Sequence, residues 1–232
     1  TKHDGYHRLA SVVAAEVALP PGLQPLTLLQ LATHTAGLPR LPDNLDLSPK
    51  NEANPYASYT ATNLYQYLAQ ARLKHPPGKV AEYSNVGFGL LGHLLALRAG
   101  QPYEQLVWEK VCQPLGLSNT VITLTDAQRQ RLTPGHSPKG DVVPNWDFAV
   151  IAPAGALRSC AADLLKFVAA NLSPADTAVG RALRESQRAR PEAGLGAGGL
   201  GWQHTTTIQG DLKIIWHNGG TGGYRSFLGF DP

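Results

Sequence analysis

The sequence contains no methionine and only two cysteines. The first shortage bears on where translation starts, and the second on whether the chain forms a disulfide. Cys112 and Cys160 lie in apolar, helix-like surroundings without C-x-x-C spacing, so we expect two small apolar side chains and no disulfide. The absence of methionine, with Thr1-Lys2 at the first positions, predicts that the chain does not begin at a translation start. Asp231-Pro232 forms a turn signal with no return strand, which predicts that the sheet is incomplete at the C-terminus.

Charge is also scarce, because charged residues make up 16% of the sequence and the net charge is only +3. Nucleic-acid binding needs a concentrated basic patch, and the densest basic run, Arg181 to Arg190, instead predicts a solvated helix face. The longest apolar stretch, Val86 to Leu97, is interrupted by glycine and is shorter than the ~20 residues of a membrane span. We therefore expect no nucleic-acid partner and no membrane-spanning segment in this chain.

Several sequence patterns partly match known nucleotide, nucleophile or metal motifs, but each lacks a residue or a neighbouring element that the motif requires. Gly194 to Gly199 matches G-x-G-x-x-G, but a strand is predicted after it, where a dinucleotide site requires a helix. Gly135 to Gly140 misses the nucleophile elbow by one residue, and Asp141 stands where a P-loop has lysine. The eight histidines show no metal-ligand spacing. We expect neither a cofactor nor a metal.

The order of predicted elements indicates an α+β fold, because helices fill the middle of the chain and strands its end. A helix is predicted from a Thr27 cap to Gly37, and Ser159 is predicted to cap another. Arg40 to Tyr59 is predicted to be a long ordered loop. Further helices are expected at 60–73, 86–99 and 103–113, strands at 199–209, 212–217 and 224–230, and turns at 210–211 and 218–223.

The segment Glu82-Tyr83-Ser84-Asn85 is the first candidate for chemistry. In extended backbone Tyr83 and Asn85 point to the same side, so both could face one cleft. A phenol can move protons if nearby cations depress its pKa, and an amide can hold a substrate carbonyl or N–H group. The structural alternative is that Tyr83 is a core aromatic residue and Asn85 caps the next helix.

The segment from Trp216 to Tyr224 is the second candidate. It places His217 at the end of a strand, followed by closely spaced glycines through which a backbone can approach a ligand. Backbone N–H groups exposed there could form an oxyanion hole. The structural alternative is a wide glycine hairpin.

Taken together and in this order, the two segments resemble the serine β-lactamase/penicillin-binding-protein superfamily, specifically its class C β-lactamase-like branch. Tyr83-Ser84-Asn85 matches the Y-x-N signature of that superfamily, and His217-Asn218-Gly219 matches the K-T-G or H-x-G signature. The resemblance covers Leu26 to Pro232. Three stretches, 28–39, 83–93 and 155–167, are typical of the branch.

The resemblance implies one domain over 1–232, a mostly antiparallel sheet flanked by helices, and a helical subdomain at about 41–157. It implies a serine hydrolase that forms an acyl-enzyme with β-lactams, D-amino-acid peptides or esters, in the periplasm or outside the cell. Tyr83 and His217 would then be catalytic. The residues expected to bind substrate are Asn85, Gly219, Gly220 and Thr221.

The sequence departs from the superfamily in two ways. No serine has a lysine three positions later, so the S-x-x-K nucleophile motif is absent from these residues. It would lie before Leu26, and Thr1-Lys2 could be its second half, although residues 3–8 do not form the apolar helix expected next. His217 also replaces a permanently charged lysine, which favours a peptidase or esterase over efficient β-lactam turnover. The alternative function is a non-catalytic member that binds peptidoglycan-like peptides or a protein partner.

Overall fold

The structure is a computed structural model that describes residues 18–190, 198–206 and 212–232. The predictions made for Thr1-Lys2, for the first glycines of the 194–199 motif and for the 210–211 turn lie outside these residues. The described helices are α1 (Leu28–Ala32), α2 (Ala61–Gln70), α3 (Asn85–Ala99), α4 (Tyr103–Val107), α5 (Asp126–Arg131), α6 (Ala161–Leu172) and α7 (Ala178–Gln187). The described strands are β1 (Gly135–His136), β2 (Val142–Val143), β3 (Gln203–Thr206), β4 (Lys213–Thr221) and β5 (Tyr224–Phe230).

Side-chain caps define where the helices begin. Thr27 and Thr60 start α1 and α2 with reciprocal capping boxes, and Gly100 ends α3 in the left-handed conformation at φ 66°. The helix predicted from Thr27 to Gly37 ends early, at Ala32, because the Thr33 hydroxyl donates to the Leu29 carbonyl and the chain turns there. The helix predicted at 60–73 likewise ends at Gln70, followed by extended backbone.

Two other helix predictions need correction. The cap of α6 is Cys160 rather than Ser159, whose hydroxyl lies 2.8 Å from that of Thr120 instead. The helix predicted at 103–113 is α-helical only to Val107 and continues as a π-helical turn, Trp108–Cys112. The basic run at 181–190 lies largely on the exposed face of α7, but its last residue, Arg190, is buried and pairs with Glu185.

Helix α3 runs through the main apolar core and packs on the 3₁₀ segment Ala149–Ala154. Glycine makes this approach possible, since a Cβ at Gly92 would lie 2.1 Å from the Pro153 side chain. The core contains side chains from α1, α2 and α3 together with residues of the 40–59 loop, which has turns and bends but no helix or strand, as predicted. The N-terminus of α3, where the Tyr83 segment enters, is thereby anchored in the core.

Strands β3, β4 and β5 form an antiparallel sheet in that order. Strand β3 begins at Gln203, opposite Trp216, so β4 residues beyond Trp216 pair only with β5 among the described residues. The predicted turn at 218–223 is wrong over most of its length: β4 continues to Thr221, and the turn is only Gly222-Gly223. The small sheet of β1 and β2 contacts this turn, since the His136 N–H donates to the Gly223 carbonyl.

No helix among the described residues is long and apolar enough to cross a membrane. Both cysteines lie in described residues and are free thiols, Cys112 buried and Cys160 partly exposed. The single domain and the helical subdomain at 41–157 remain predictions.

Candidate active site

A cleft lies where four parts of the chain meet. Its walls come from the turn after α1, from Tyr83, from residues 198–203 and from His217 on β4. The Tyr83 and His217 rings have centroids 6.5 Å apart at a tilt of 36°. The structure therefore brings together the two side chains predicted to be catalytic, across 134 residues of sequence.

The backbone around Tyr83 is held by hydrogen bonds on both sides. The N–H groups of Glu82 and Ser84 donate to the carbonyl oxygen and to Nδ1 of His34, at 2.9 and 3.1 Å. The Ser84 hydroxyl donates to the Pro39 carbonyl at 2.6 Å and accepts the Gly87 N–H at the start of α3. Ser84 is therefore the helix cap, so the alternative that Asn85 caps this helix is wrong.

The pKa of Tyr83 is raised, whereas proton transfer by this phenol was expected to require a lowered pKa. Burial raises the pKa of the Tyr83 phenol, and the nearby Arg40 guanidinium only partly offsets that rise. The Arg40 guanidinium carbon lies 5.4 Å from the ring centroid, within cation–π range. Among the described residues, no cation lowers the pKa of Tyr83 below its ordinary value, which is what proton abstraction would favour. Tyr83 is therefore a neutral phenol at neutral pH.

Asn85 is the first residue of α3, and its side chain interacts with the Tyr56 hydroxyl. Burial raises the pKa of Tyr56, while Asn85 and Arg40 act in the opposite direction. Tyr56 in turn stacks on Phe148 with ring centroids 4.9 Å apart. Asn85 thus lies beside an aromatic cluster that borders the Tyr83 segment.

Strand β4 presents His217, Gly219 and Thr221 on one face, since alternate strand residues share a face. Thr221 and Tyr224 flank the two-residue turn, and the residues that flank such a loop are joined by a hydrogen bond. Hydrogen-bonded and non-bonded pairs alternate along an antiparallel ladder, so the N–H of Gly220 points away from β5. That side of β4 is the edge that β3 leaves uncovered.

Three residues of this region were missed by sequence reasoning. His34 and Arg40 surround Tyr83, and Tyr56 adjoins Asn85. His34 lies in one of the stretches typical of the branch, but neither its spacing nor its neighbours indicate contact with Tyr83. Arg40 and Tyr56 lie in the 40–59 loop, whose composition predicts only turns.

The side chain of Glu82 is next to Tyr83 in sequence but does not line the cleft. The Glu82 carboxylate points to the Lys74 ammonium, 2.6 Å away, which holds the pKa of that carboxyl below its usual value. Within the described residues, no group of three or more histidine, cysteine, aspartate or glutamate side chains is arranged to hold a metal ion. The expectation of no metal and no cofactor stays a prediction.

Comparison with known proteins gives the family. A family model described as Beta-lactamase matches residues 7–232. The D-alanyl-D-alanine-carboxypeptidase/endopeptidase AmpH of Escherichia coli (strain K12) is 32% identical over 235 residues, which cover 92% of this chain and 59% of that protein. The chain therefore spans somewhat more than half the length of this relative.

Solved structures agree with the fold. A β-lactamase/D-alanine carboxypeptidase from Yersinia pestis, complexed with citrate, is 28% identical with a TM-score of 0.77, covering 97% of this chain and 66% of that one. A β-lactamase/D-alanine carboxypeptidase from Pseudomonas syringae shares the fold at 19% identity and a TM-score of 0.79, covering 97% of this chain and 68% of that one. The antiparallel sheet and flanking helices are thus those of the β-lactamase/transpeptidase fold, and the chain belongs to the Beta-lactamase family.

Proposed function

We propose that this chain supplies most of the active site of a serine hydrolase that forms an acyl-enzyme with a β-lactam, a D-amino-acid peptide or an ester. The observation that carries the proposal is the shared cleft of Tyr83 and His217. The relatives named as carboxypeptidases and β-lactamases support the same reaction class. A small-molecule substrate in the periplasm or outside the cell fits those names, and no nucleic-acid partner is part of the proposal.

The proposed reaction begins with a serine that is not among residues 1–232. Its oxygen attacks the substrate carbonyl carbon, and its proton passes to the lysine of the same S-x-x-K motif or through Tyr83. The carbonyl oxygen becomes an oxyanion, which the N–H of Gly220 stabilises. Collapse expels the leaving group, which takes up that proton, and water then releases the acyl group by the reverse path.

The neutral phenol of Tyr83 suits this role as a relay. A neutral phenol can accept the serine proton as it donates its own, and the motif lysine would add a second cation beside Arg40 that lowers the raised pKa of Tyr83 and so eases that donation. Gly219 and Thr221 lie on the His217 face of β4, where a substrate laid along the strand would contact them. Asn85, beside Tyr56, would hold the acyl side chain.

The test compares variants of the protein extended upstream to include an S-x-x-K motif. Replacing Tyr83 by Phe should lower kcat/KM for nitrocefin, for a D-Ala-D-Ala peptide and for a p-nitrophenyl ester by about 10²–10⁴-fold, the usual effect of a proton-transfer group. Tyr65→Phe is the matched control, because its hydroxyl contacts His93 at 2.7 Å on α3 and does not line the cleft. Full activity of Tyr83→Phe on all three substrates would refute the proposal.

A second candidate is favoured by one observation, the absence of an S-x-x-K spacing from this sequence. It is a non-catalytic member of the family that binds peptidoglycan-like peptides or a protein partner in the same cleft. This candidate predicts that the protein with its own upstream residues binds a D-Ala-D-Ala peptide in calorimetry but is not labelled by a fluorescent penicillin. Covalent labelling at one serine per chain selects the enzyme instead.

A further inference from the structure

His34 occupies an unusual backbone position beside the proposed relay. It follows α1 with φ at 58°, in the left-handed region, which is unfavourable for a residue that has a Cβ. The turn is braced by the buried hydroxyls of Thr33 and Thr35, 2.9 Å apart. A glycine would adopt this backbone without strain, so the imidazole must make contacts that offset the cost.

The ring of His34 makes those contacts with two aromatic side chains. Its centroid lies 4.6 Å from the Tyr83 ring and 4.7 Å from the Phe88 ring, with tilts of 34° and 31°. Aromatic pairs at such separations are favourable beyond the area they bury. The imidazole therefore supports one side of the phenol, while Arg40 lies over the Tyr83 ring at 5.4 Å.

The polar groups of His34 hold the backbone on both sides of Tyr83. Its carbonyl accepts the Glu82 N–H and its Nδ1 accepts the Ser84 N–H. Residues 82 and 84 are alternate positions of one extended segment, so a single residue fixes the peptide groups that flank Tyr83. With Nδ1 as the acceptor, the proton of the neutral ring lies on Nε2.

This arrangement depends on an uncharged ring. Burial, assisted by the nearby His217, lowers the pKa of His34 to about 4. Protonated Nδ1 would present a hydrogen to the Ser84 N–H, which would break the contact. Among the described residues, the titratable rings that face His34 are those of Tyr83 and His217, neither of which is an anion at neutral pH, and the nearby Glu82 carboxylate pairs with Lys74.

We propose that His34 is a positioning residue for Tyr83, which clamps the Glu82–Ser84 backbone and supports the phenol so that it faces His217. The proposal rests on the proposed function in treating Tyr83 as the proton relay. His34 itself neither contacts the reacting atoms nor transfers a proton. Its effect is geometric, since misplacing a catalytic group by about 1 Å can cost on the order of 10² in rate.

Two variants separate the hydrogen bond from the rest of the side chain. In His34→Asn, the amide oxygen takes the place of Nδ1, and asparagine tolerates the left-handed backbone. In His34→Phe the ring remains, but the acceptor for the Ser84 N–H is lost. His93→Phe is the matched control, because His93 also contacts a tyrosine, Tyr65, at 5.5 Å between ring centroids and does not line the cleft.

The first measurement needs no activity and uses the 232-residue chain. Hydrogen exchange of the Ser84 amide should accelerate at least ~10-fold in His34→Phe and stay near wild type in His34→Asn and His93→Phe. His34→Gly removes the backbone strain, the ring contacts and the Nδ1 acceptor, so its Ser84 exchange should be as fast as in His34→Phe. Unchanged Ser84 exchange in both His34→Phe and His34→Gly would overturn the proposal.

The second measurement uses the extended enzyme. His34→Phe should lower kcat by about 10–100-fold with KM within about twofold, and His34→Asn should recover most of the loss. Equal losses in both variants, or a loss expressed only in KM, would overturn the positioning role. If even the wild-type enzyme turns over no substrate, the proposed function fails, while the exchange experiment still decides whether His34 clamps the segment.

Discussion

Replacing His217 with lysine should distinguish substrates that carry a carboxylate from neutral ones. His217 is half-buried on β4, at the uncovered edge of the sheet and 6.5 Å from the Tyr83 ring. A lysine there carries a charge at every physiological pH, whereas the charge of a histidine varies near neutrality. The change therefore adds a permanent cation at the wall of the cleft.

The structure lets two effects of that cation be separated. At 6.5 Å in a water-like medium, a unit charge stabilises a developing Tyr83 phenolate by about 0.6 kcal/mol, or roughly threefold in rate. This effect is the same for every substrate. A penicillin carboxylate about 4 Å from the ammonium gains about 1 kcal/mol more, or about fivefold, because the site is partly exposed.

The assay is a ratio of specificity constants. The value of kcat/KM is measured for a penicillin and for a neutral p-nitrophenyl ester, in wild type and in His217→Lys, from pH 6 to 9. The ratio cancels the effect on Tyr83 and should rise about fivefold in His217→Lys. His136→Lys serves as the control, since it adds the same charge at an exposed position on β1 that does not line the cleft.

An unchanged ratio would refute the reasoning, because a cation at this position would then not attract the carboxylate. A parallel fall of both activities would refute it as well. That outcome would mean that the imidazole makes a specific hydrogen bond near Tyr83 which an ammonium cannot reproduce.

The remaining predictions test the chain, the electrostatics and the packing. The 232-residue chain alone should hydrolyse neither nitrocefin nor p-nitrophenyl esters, because it contains no S-x-x-K spacing, and stoichiometric acylation by a fluorescent penicillin would contradict this. Arg40→Gln should raise the pKa of Tyr83 further, because it removes the nearby cation, while Arg40→Lys should leave it near wild type in ¹³C NMR titration of the phenol. Gly92→Val should lower the free energy of unfolding by about 1–3 kcal/mol or more in urea titrations, because its side chain would overlap the 3₁₀ segment, whereas Gly22→Ala, in open space, should change it little. The pKa of His34 is about 4 when folded against about 6.5 when unfolded, so its contribution to stability is complete above pH 6.5 and is lost as the pH falls towards 4. His34→Asn should flatten that part of the curve of Tm against pH, and an identical curve would contradict the assignment.

Local chemistry made much of the fold predictable. Thr27 and Thr60 cap helices because their hydroxyls accept nearby N–H groups, and Gly100 ends α3 because glycine adopts a positive φ without strain. These effects act within a few residues, so the sequence carries them directly. The ordered motifs around Tyr83 and His217 identified the family for the same reason, since their spacing is visible without a structure.

Competition between local preferences and tertiary contacts explains the wrong predictions. Glycine favours turns, yet the segment after His217 forms a strand because β5 pairs with it along its whole length. Ser84 rather than Asn85 caps α3 because its hydroxyl also reaches the Pro39 carbonyl, 45 residues away in sequence. Pro39 lies outside the local window from which a cap is predicted.

The sequence by itself determined the starts of α1 and α2, the strand-rich end and the two motifs, because each depends on neighbouring residues. Only the tertiary structure decided that Tyr83 faces His217, that His34 holds the peptide groups around Tyr83, and that Arg40 lies over its ring. Those contacts join segments far apart in sequence, and their geometry follows from how the helices and the sheet pack. The raised pKa of Tyr83 belongs to the same group of properties, because burial exists only in the folded chain.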